Sequence, residues 1–167
     1  MTRNHATGAH QVGVLFVCMG NICRSPTAQG LVRHRLRERG TDWAVRLDSA
    51  GTHGYHVGAP PDERSLAAAA RRGIDFRDLR ARQVLAEDFH QFDLVLAMDS
   101  QNLSALARLR PAQAKGELRL LLDFAPGLDV RDVPDPYYGG ETGFEQVLDL
   151  IEAATEGLLA ELQHRLS

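Results

Sequence analysis

The sequence VGVLFVCMGNICRS at residues 12–25 decides the fold. Its first six residues, 12–17, form a short apolar run with β-branched side chains, which indicates a buried strand. Residues 18–24, hereafter the cysteine loop, contain a glycine and an asparagine and are predicted to leave regular structure. Ser25 and Pro26 then predict the start of a helix, with Ser25 as its N-cap and Pro26 in its first turn.

The rest of the chain alternates further predicted strands and helices. Strands are predicted over residues 43–49, 92–98 and 118–122, and helices over 62–72, 83–90, 99–109 and from Thr142 onward, where Glu145 completes a capping-box spacing. Apolar strands separated by helices imply an α/β fold, a small doubly wound sheet of four parallel strands with helices on both faces. Ligands bind such sheets beyond the carboxyl ends of the strands, where the cysteine loop lies.

The composition is that of an ordinary globular protein. The 167 residues are 44% apolar and 25% charged, which predicts one domain at residues 12–167 after a flexible polar tail at residues 1–11. The net charge of −3 argues against nucleic-acid or membrane partners, and no apolar run reaches the roughly 20 residues that span a bilayer. Two cysteines are too few for a disulfide scaffold, which favours the reducing cytoplasm.

The cysteine loop has the features of an anion-binding site. A loop that enters a helix directs several backbone N–H groups, and the positive end of the helix dipole, towards one point. Gly20 permits close approach, Asn21 tolerates a left-handed conformation, and Arg24 offers a planar fork for two phosphate oxygens. Cys18 faces the same point, where these fields favour a thiolate. The residues therefore predict a nucleophilic sulfur beneath a bound phosphate.

Two other interpretations of this loop fit the residues less well. The Gly-Lys-Ser/Thr ending of a nucleotide-binding loop is missing. Cys18 and Cys23 also have no second pair of ligands at a zinc spacing. The sequence therefore predicts neither a cofactor nor a metal site.

Five blocks of the sequence resemble the low-molecular-weight protein tyrosine phosphatase family. They are VLFVCMGNICRSPTAQG at residues 14–30, DSAGTHGYHVGAPPD at 48–62, ARQV at 81–84, FDLVLAMDSQNL at 92–103 and DVPDPYYGG at 132–140. The blocks follow the order of the family and cover nearly all of the chain after residue 11. The resemblance implies a phosphotyrosine-protein phosphatase that hydrolyses phosphate monoesters without a metal.

The resemblance assigns catalytic roles to three residues. Cys18 would attack phosphorus and form a thiophosphate intermediate, which divides one difficult displacement into two easier ones. Asp135, within residues 129–140, hereafter the aspartate loop, would protonate the leaving oxygen and then activate water. The guanidinium of Arg24 and the backbone N–H groups of the loop would stabilise the phosphate oxygens; these groups belong to Met19, Gly20, Asn21, Ile22, Cys23 and Arg24.

The resemblance also implies supporting residues around this centre. Asn21 would hold the cysteine loop through bonds to neighbours that include Ser49, and Ser25 would donate a hydrogen bond to the Cys18 thiolate. Apolar walls that favour a long, flat phosphotyrosine over phosphoserine would be formed by Met19, Ile22, Tyr55 and Tyr137. Four of these residues also have an ordinary alternative, which is a helix cap for Ser25, a satisfied loop hydroxyl for Ser49, a loop aromatic for Tyr55 and local packing for Met19.

Other residues in these blocks carry weaker expectations. Cys23 would form a reversible disulfide that shields Cys18 from irreversible oxidation, or it is a small buried side chain. Asp99 either lies near the site or caps a helix. The histidines at positions 53 and 56 are interpreted as loop histidines because they have no further metal partners in the sequence.

Two positions depart from the family pattern. Arg72 and Leu79 stand where relatives often carry histidine. A supporting histidine network is therefore in doubt here, whereas Cys18, Arg24 and Asp135 are all present.

The expected partners are phosphotyrosine-containing proteins, among them bacterial tyrosine kinases, which relatives in bacteria often dephosphorylate. Two alternatives remain open. An arsenate reductase on the same scaffold would relay oxidation through cysteines beyond the loop, and this chain has none after Cys23. A non-catalytic phosphate-binding module would usually have lost Cys18, Arg24 or Asp135.

Overall fold

The computed structural model describes residues 11–137 and 139–167, so the predicted tail lies outside the described residues except for Gln11. Within this part of the chain, four parallel strands form one sheet in the order β2-β1-β3-β4. The strands are β1 Val12–Cys18, β2 Val45–Gly51, β3 Leu94–Ala97 and β4 Glu117–Leu120. The helices are α1 Arg24–Glu38, α2 Glu63–Ala70, α3 Asp88–Gln91, α4 Ser100–Leu109 and α5 Glu141–Leu166.

The interior strand β1 explains why the opening run is apolar at every residue. It pairs with β2 along its whole length and with β3 from Val14 to Val17. Its backbone is hydrogen-bonded to a strand on each side and helices cover both faces, so all of its residues are buried. The predicted strand is confirmed and extends by one residue, which makes Cys18 the last residue of β1.

Alternate residues of β1 enter two separate cores, because successive side chains of a strand point to opposite faces. Val14 and Phe16 join apolar side chains of α1, α2 and α5 in the larger core. Leu15 and Val17 join those of α3 and α4 in the smaller core. The predicted doubly wound sheet with helices on both faces is confirmed. Among the described helices, none has the length and apolar character needed to cross a bilayer.

Several predicted boundaries are wrong for identifiable reasons. β2 begins two residues late because Asp42–Ala44 forms a 3-10 turn, and β4 ends early because Leu121–Phe124 forms another. The helix predicted over residues 83–90 is reduced to α3. The start of that segment is engaged with β2, since Gln83 forms a parallel bridge with Gly51 and the N–H of Val84 donates to the Gly51 carbonyl.

The predicted capping box at the start of α5 is also wrong. The helix begins at Glu141, and its N-cap is Gly140, which has no side chain to act as a cap. The Glu145 carboxylate accepts instead from Arg71 and Arg72, which directly follow α2, at 2.9 and 2.7 Å. The carboxylate that the capping box would have used is thus engaged by two guanidinium groups.

Candidate active site

The cysteine loop lies where the fold predicts a ligand, between the carboxyl end of β1 and the start of α1. It forms the floor of a cavity of about 390 Å³. The cavity is lined by Cys18, Met19, Gly20, Ile22, Cys23, Arg24, Tyr55, His56, Asp135 and Tyr137. Predicted site residues from distant parts of the sequence therefore line one cavity.

Two polar groups surround the Cys18 sulfur. The backbone N–H of Asn21 donates to Sγ at 3.2 Å, and Ser25 Oγ lies 3.0 Å from it. Ser25 Oγ itself accepts from Asn21 Nδ2 at 2.8 Å, so its hydroxyl hydrogen can be directed at the sulfur. Both contacts stabilise negative charge on Cys18.

The predicted N-cap role of Ser25 is wrong. α1 begins at Arg24, and its N-cap is Cys23, two residues before the predicted cap. Ser25 is therefore inside the first turn, where its side chain is fully buried and faces Cys18 and the Ala50 carbonyl. The position of Ser25 is therefore explained by its contact with the Cys18 sulfur and not by a capping role.

Asn21 fixes the turn of the loop. Its φ of 59° lies in the left-handed region, where an asparagine side chain can still bond locally. Nδ2 donates to Ser25 and to Ser49 Oγ at 3.0 Å, and Oδ1 accepts from the backbone N–H of Arg82 at 2.9 Å. Ser49 in turn donates to Gln29 at 2.8 Å. The loop is thereby bonded to α1, to β2 and to residue 82.

Gly51, which was not among the residues predicted for the site, allows the end of β2 to approach this turn. A Cβ at position 51 would lie 2.6 Å from the Met19 carbonyl oxygen, closer than real contacts allow. Gly51 pairs directly with Cys18 in the sheet register. The only sequence feature that could have indicated this role is a glycine just after a predicted strand, and many loops have one.

Arg24 is buried and held from two sides. Nη1 donates to Asp99 Oδ2 at 2.5 Å and to the Val133 carbonyl at 3.0 Å. Its side chain is only 2% exposed. Burial opposes its charge, but the negative charges of Cys18 and Asp99 prevail and raise the pKa of Arg24 above its ordinary value. The guanidinium is therefore a fixed cation beside the sulfur.

Asp99 fills both of its alternative roles. Oδ1 accepts from the backbone N–H of Asn102 at 2.7 Å and so caps α4. Oδ2 receives the Arg24 guanidinium. One carboxylate thus links the start of α4 to the cysteine loop.

Asp135 lies across the cavity from the loop. Its Oδ2 is 3.8 Å from Arg24 Nη2, and its Oδ1 accepts from the backbone N–H of Tyr137 at 3.0 Å. The aspartate loop is attached to the sheet next to this point, because the N–H of Val133 donates to the Met98 carbonyl at 2.8 Å. The side chain of Asp135 is 37% exposed, so this carboxyl faces the entrance.

Aromatic and imidazole rings form the entrance. Tyr55 is 72% exposed and stacks on His53 with ring centroids 5.0 Å apart. His56 lines the cavity and its ring centroid is 6.2 Å from that of Tyr137. The interpretation of His56 as a plain loop histidine missed this position, although its place next to Tyr55 was a signal.

Cys23 is a second buried thiol in the cysteine loop. Both cysteines are free in the structure. Burial, followed by the negative charge of Asp62, raises the pKa of Cys23 to about 12. At neutral pH Cys23 is therefore protonated.

The two positions that depart from the family pattern do not face the sulfur. Arg72 donates to Glu145, Asp149 and Glu152 of α5, at 2.7, 2.9 and 3.2 Å. Leu79 packs against the larger core. Within residues 11–137 and 139–167, no group of three or more His, Cys, Asp or Glu side chains could hold a metal ion.

The geometry defines a class: an α/β protein with a cysteine at the end of its first strand, followed by a loop that enters a helix, with an arginine and an aspartate lining the same cavity. The sequence model of the family "Low molecular weight phosphotyrosine protein phosphatase" matches residues 13–167. The chain belongs to this family, and the resemblance found in the sequence is confirmed.

Individual relatives match nearly the whole chain. The low molecular weight protein-tyrosine-phosphatase YfkJ of Bacillus subtilis is 41% identical over 152 residues, which cover 91% of this chain and 96% of that protein. The corresponding protein of Streptomyces coelicolor is 46% identical over 156 residues, which cover 91% and 94%. A crystal structure of a protein tyrosine phosphatase from Entamoeba histolytica has a TM-score of 0.88 at 38% identity and covers 92% of this chain and 98% of its own.

Proposed function

We propose that this protein is a phosphotyrosine-protein phosphatase that acts through a Cys18 thiophosphate intermediate, with Asp135 as general acid and base. One observation carries the proposal. The Cys18 sulfur receives the N–H of Asn21 at 3.2 Å, and the neighbouring Arg24 guanidinium lies between Asp99 and Asp135. A nucleophile, an oxyanion clamp and an acid therefore face one cavity.

In the first step, the Cys18 thiolate attacks phosphorus and the bond from phosphorus to the phenolic oxygen breaks. Asp135 donates its proton to that oxygen, since a phenolate with a conjugate acid of pKa about 10 is a poor leaving group. Arg24 and the N–H groups of the cysteine loop stabilise the three equatorial oxygens. The products are a neutral phenol and a cysteinyl phosphate.

In the second step, water attacks the cysteinyl phosphate and the sulfur–phosphorus bond breaks. The Asp135 carboxylate now takes a proton from the water, which restores the acid for the next cycle. Inorganic phosphate leaves and Cys18 returns to the thiolate. Neither step calls for a metal or an organic cofactor.

The shape of the cavity supports an aromatic substrate. The cavity is lined by Met19 and Ile22 of the cysteine loop together with Tyr55 and Tyr137. We infer that a phosphotyrosine ring lies against these side chains with its phosphate at the cysteine loop, and that the shorter phosphoserine would make fewer of these contacts. The proposed partners are phosphotyrosine-containing proteins, among them a bacterial tyrosine kinase, and the proposed location is the cytoplasm.

The test compares four proteins on a phosphotyrosine peptide and on p-nitrophenyl phosphate. We expect Cys18→Ser to be inactive and Asp135→Asn to lose about 100-fold in kcat/KM on the peptide. Asp129→Asn is the matched control, because Asp129 is an exposed carboxylate in the same loop and does not line the cavity. We expect it to stay within about twofold of the unmodified protein.

Other outcomes distinguish the alternatives. Turnover that survives in Cys18→Ser would remove the thiophosphate mechanism. Thiol-dependent production of arsenite with poor phosphatase activity would favour arsenate reduction, and phosphopeptide binding without turnover would favour a binding module. Activity that a chelator abolishes would contradict the metal-independent chemistry.

A further inference from the structure

The first turn of α2 contacts both loops of the site. The backbone N–H of Asp62, the N-cap of α2, donates to the Ile22 carbonyl in the cysteine loop at 2.8 Å. Two residues later, Arg64 Nη2 donates to the Tyr137 carbonyl in the aspartate loop at 3.0 Å. One helix end is therefore bonded to the loop that contains Cys18 and to the loop that contains Asp135.

Several contacts fix the orientation of Arg64. Its Nε and Nη2 donate to the two carboxylate oxygens of Asp62, each at 3.1 Å. Its guanidinium carbon lies 4.8 Å from the centre of the Phe144 ring and 5.6 Å from that of Tyr137. A forked ion pair and two rings therefore restrain this planar cation, although the side chain is 44% exposed.

The bond from Arg64 leads directly to the proposed acid. Tyr137 receives the arginine at its carbonyl, and its own N–H donates to Asp135 Oδ1 at 3.0 Å. The other oxygen of Asp135 faces Arg24 at 3.8 Å. Arg64 therefore holds the residue that holds the carboxyl group.

We propose that Arg64 is a positioning residue that keeps the Asp135 carboxyl over the cysteine loop by holding the backbone of Tyr137. The proposal rests on the proposed function, because Arg64 acts through the acid assigned to Asp135. Arg64 lies outside the cavity lining and touches no reacting group. Without it the Tyr137 carbonyl loses this donor, and the aspartate loop places the acid less often within reach of the leaving oxygen.

The first variant is Arg64→Met, which keeps the length of the side chain and removes its donors. We expect kcat/KM for a phosphotyrosine peptide to fall about tenfold. Arg71→Met is the matched control. Arg71 is an exposed arginine of the same surface, bonded to Glu145 rather than to the aspartate loop, and its loss should change kcat/KM less than twofold.

A double-mutant cycle separates positioning from general damage. In an Asp135→Asn background no acid remains to be positioned, so Arg64→Met should cost less than about twofold there. A second readout is the dependence of kcat/KM on the leaving group. Across a series of aryl phosphates, kcat/KM of Arg64→Met should decline more steeply with leaving-group pKa than that of Arg71→Met.

Two results would overturn the inference: a tenfold loss in both backgrounds, or no loss in the native background. If Asp135→Asn itself retained full activity, the acid assignment would fail and the inference would fail with it, so the two failures are distinguishable. Arg64→Lys provides a second variant if Arg64→Met does not fold. It keeps the charge but loses the fork, and its smaller loss in kcat/KM should likewise vanish in the Asp135→Asn background.

Discussion

Replacement of Asn21 by alanine tests how the cysteine loop is held in shape. Among residues 11–137 and 139–167, Asn21 is the non-glycine residue with a positive φ, at 59°. Its side chain makes three buried or partly buried hydrogen bonds, to Ser25, to Ser49 and from the Arg82 N–H. Alanine at this position keeps the left-handed backbone but has none of these bonds.

The expected loss of stability follows from these contacts. A left-handed conformation costs an ordinary L-residue about 1 kcal/mol. Three neutral hydrogen bonds contribute about 1 kcal/mol each, so Asn21→Ala should lose about 4 kcal/mol in total. For a chain of this length, that loss corresponds to a decrease in Tm of about 8 to 16 °C. Asn21→Gly loses the same bonds without the backbone strain, and should be about 1 kcal/mol more stable than Asn21→Ala.

The assay is urea unfolding at 25 °C, followed by far-ultraviolet circular dichroism, with kcat measured on the same samples. We expect both variants to lose activity, because the N–H of Asn21 would no longer be fixed at 3.2 Å from the Cys18 sulfur. Equal stability of the alanine and glycine variants would show that the backbone stores no strain. A loss below 1 kcal/mol in both would show that the three hydrogen bonds are not the restraint that the geometry indicates.

Two further predictions concern the charged and ionisable groups. Asp99→Asn should lower the free energy of unfolding by about 3 kcal/mol, because Arg24 stays buried without its nearest carboxylate. Inorganic phosphate should raise the Tm of this variant more than that of the unmodified protein, and an equal shift in both would contradict the reasoning. The pKa of Cys23 is about 12, so folding retains a proton that the unfolded chain releases above pH 9. Stability should therefore fall by up to about 1.4 kcal/mol per pH unit above pH 9, and Cys23→Ala should be less steep in urea titrations at pH 8 to 10.5.

Local patterns in the sequence were sufficient for the centre of the fold and of the site. The apolar run of β1 is buried on every residue, and the pattern of an apolar run followed by a cysteine loop requires no knowledge of distant residues. Gly40, two residues after the last residue of α1, has a φ of +68°, which is the conformation that favours glycine at a helix end. Structural features that depend only on residues close together in the chain can therefore be predicted from a single sequence.

Contacts between distant segments could not be predicted in the same way. The bond from Arg24 to Asp99 joins residues 75 positions apart, and that from Arg82 to Asn21 joins residues 61 apart. The start of the helix predicted over residues 83–90 instead pairs with the end of β2. Ser25, predicted to cap α1, instead contacts the Cys18 sulfur. In each case a partner from another element competed successfully with the local preference.

The two carboxylates beside Arg24 differ in a way that explains why one fits the role of acid and the other does not. Asp99 is 17% exposed, lies 2.5 Å from the guanidinium and uses its second oxygen to cap α4. Both of its oxygens are occupied, so its proper role is to hold Arg24 as a fixed cation. Asp135 is 37% exposed and 3.8 Å away, at the end of a loop rather than of a helix. A bound phosphate can replace Asp135 as the partner of Arg24. The Asp135 carboxyl is then available for proton transfer at the leaving oxygen.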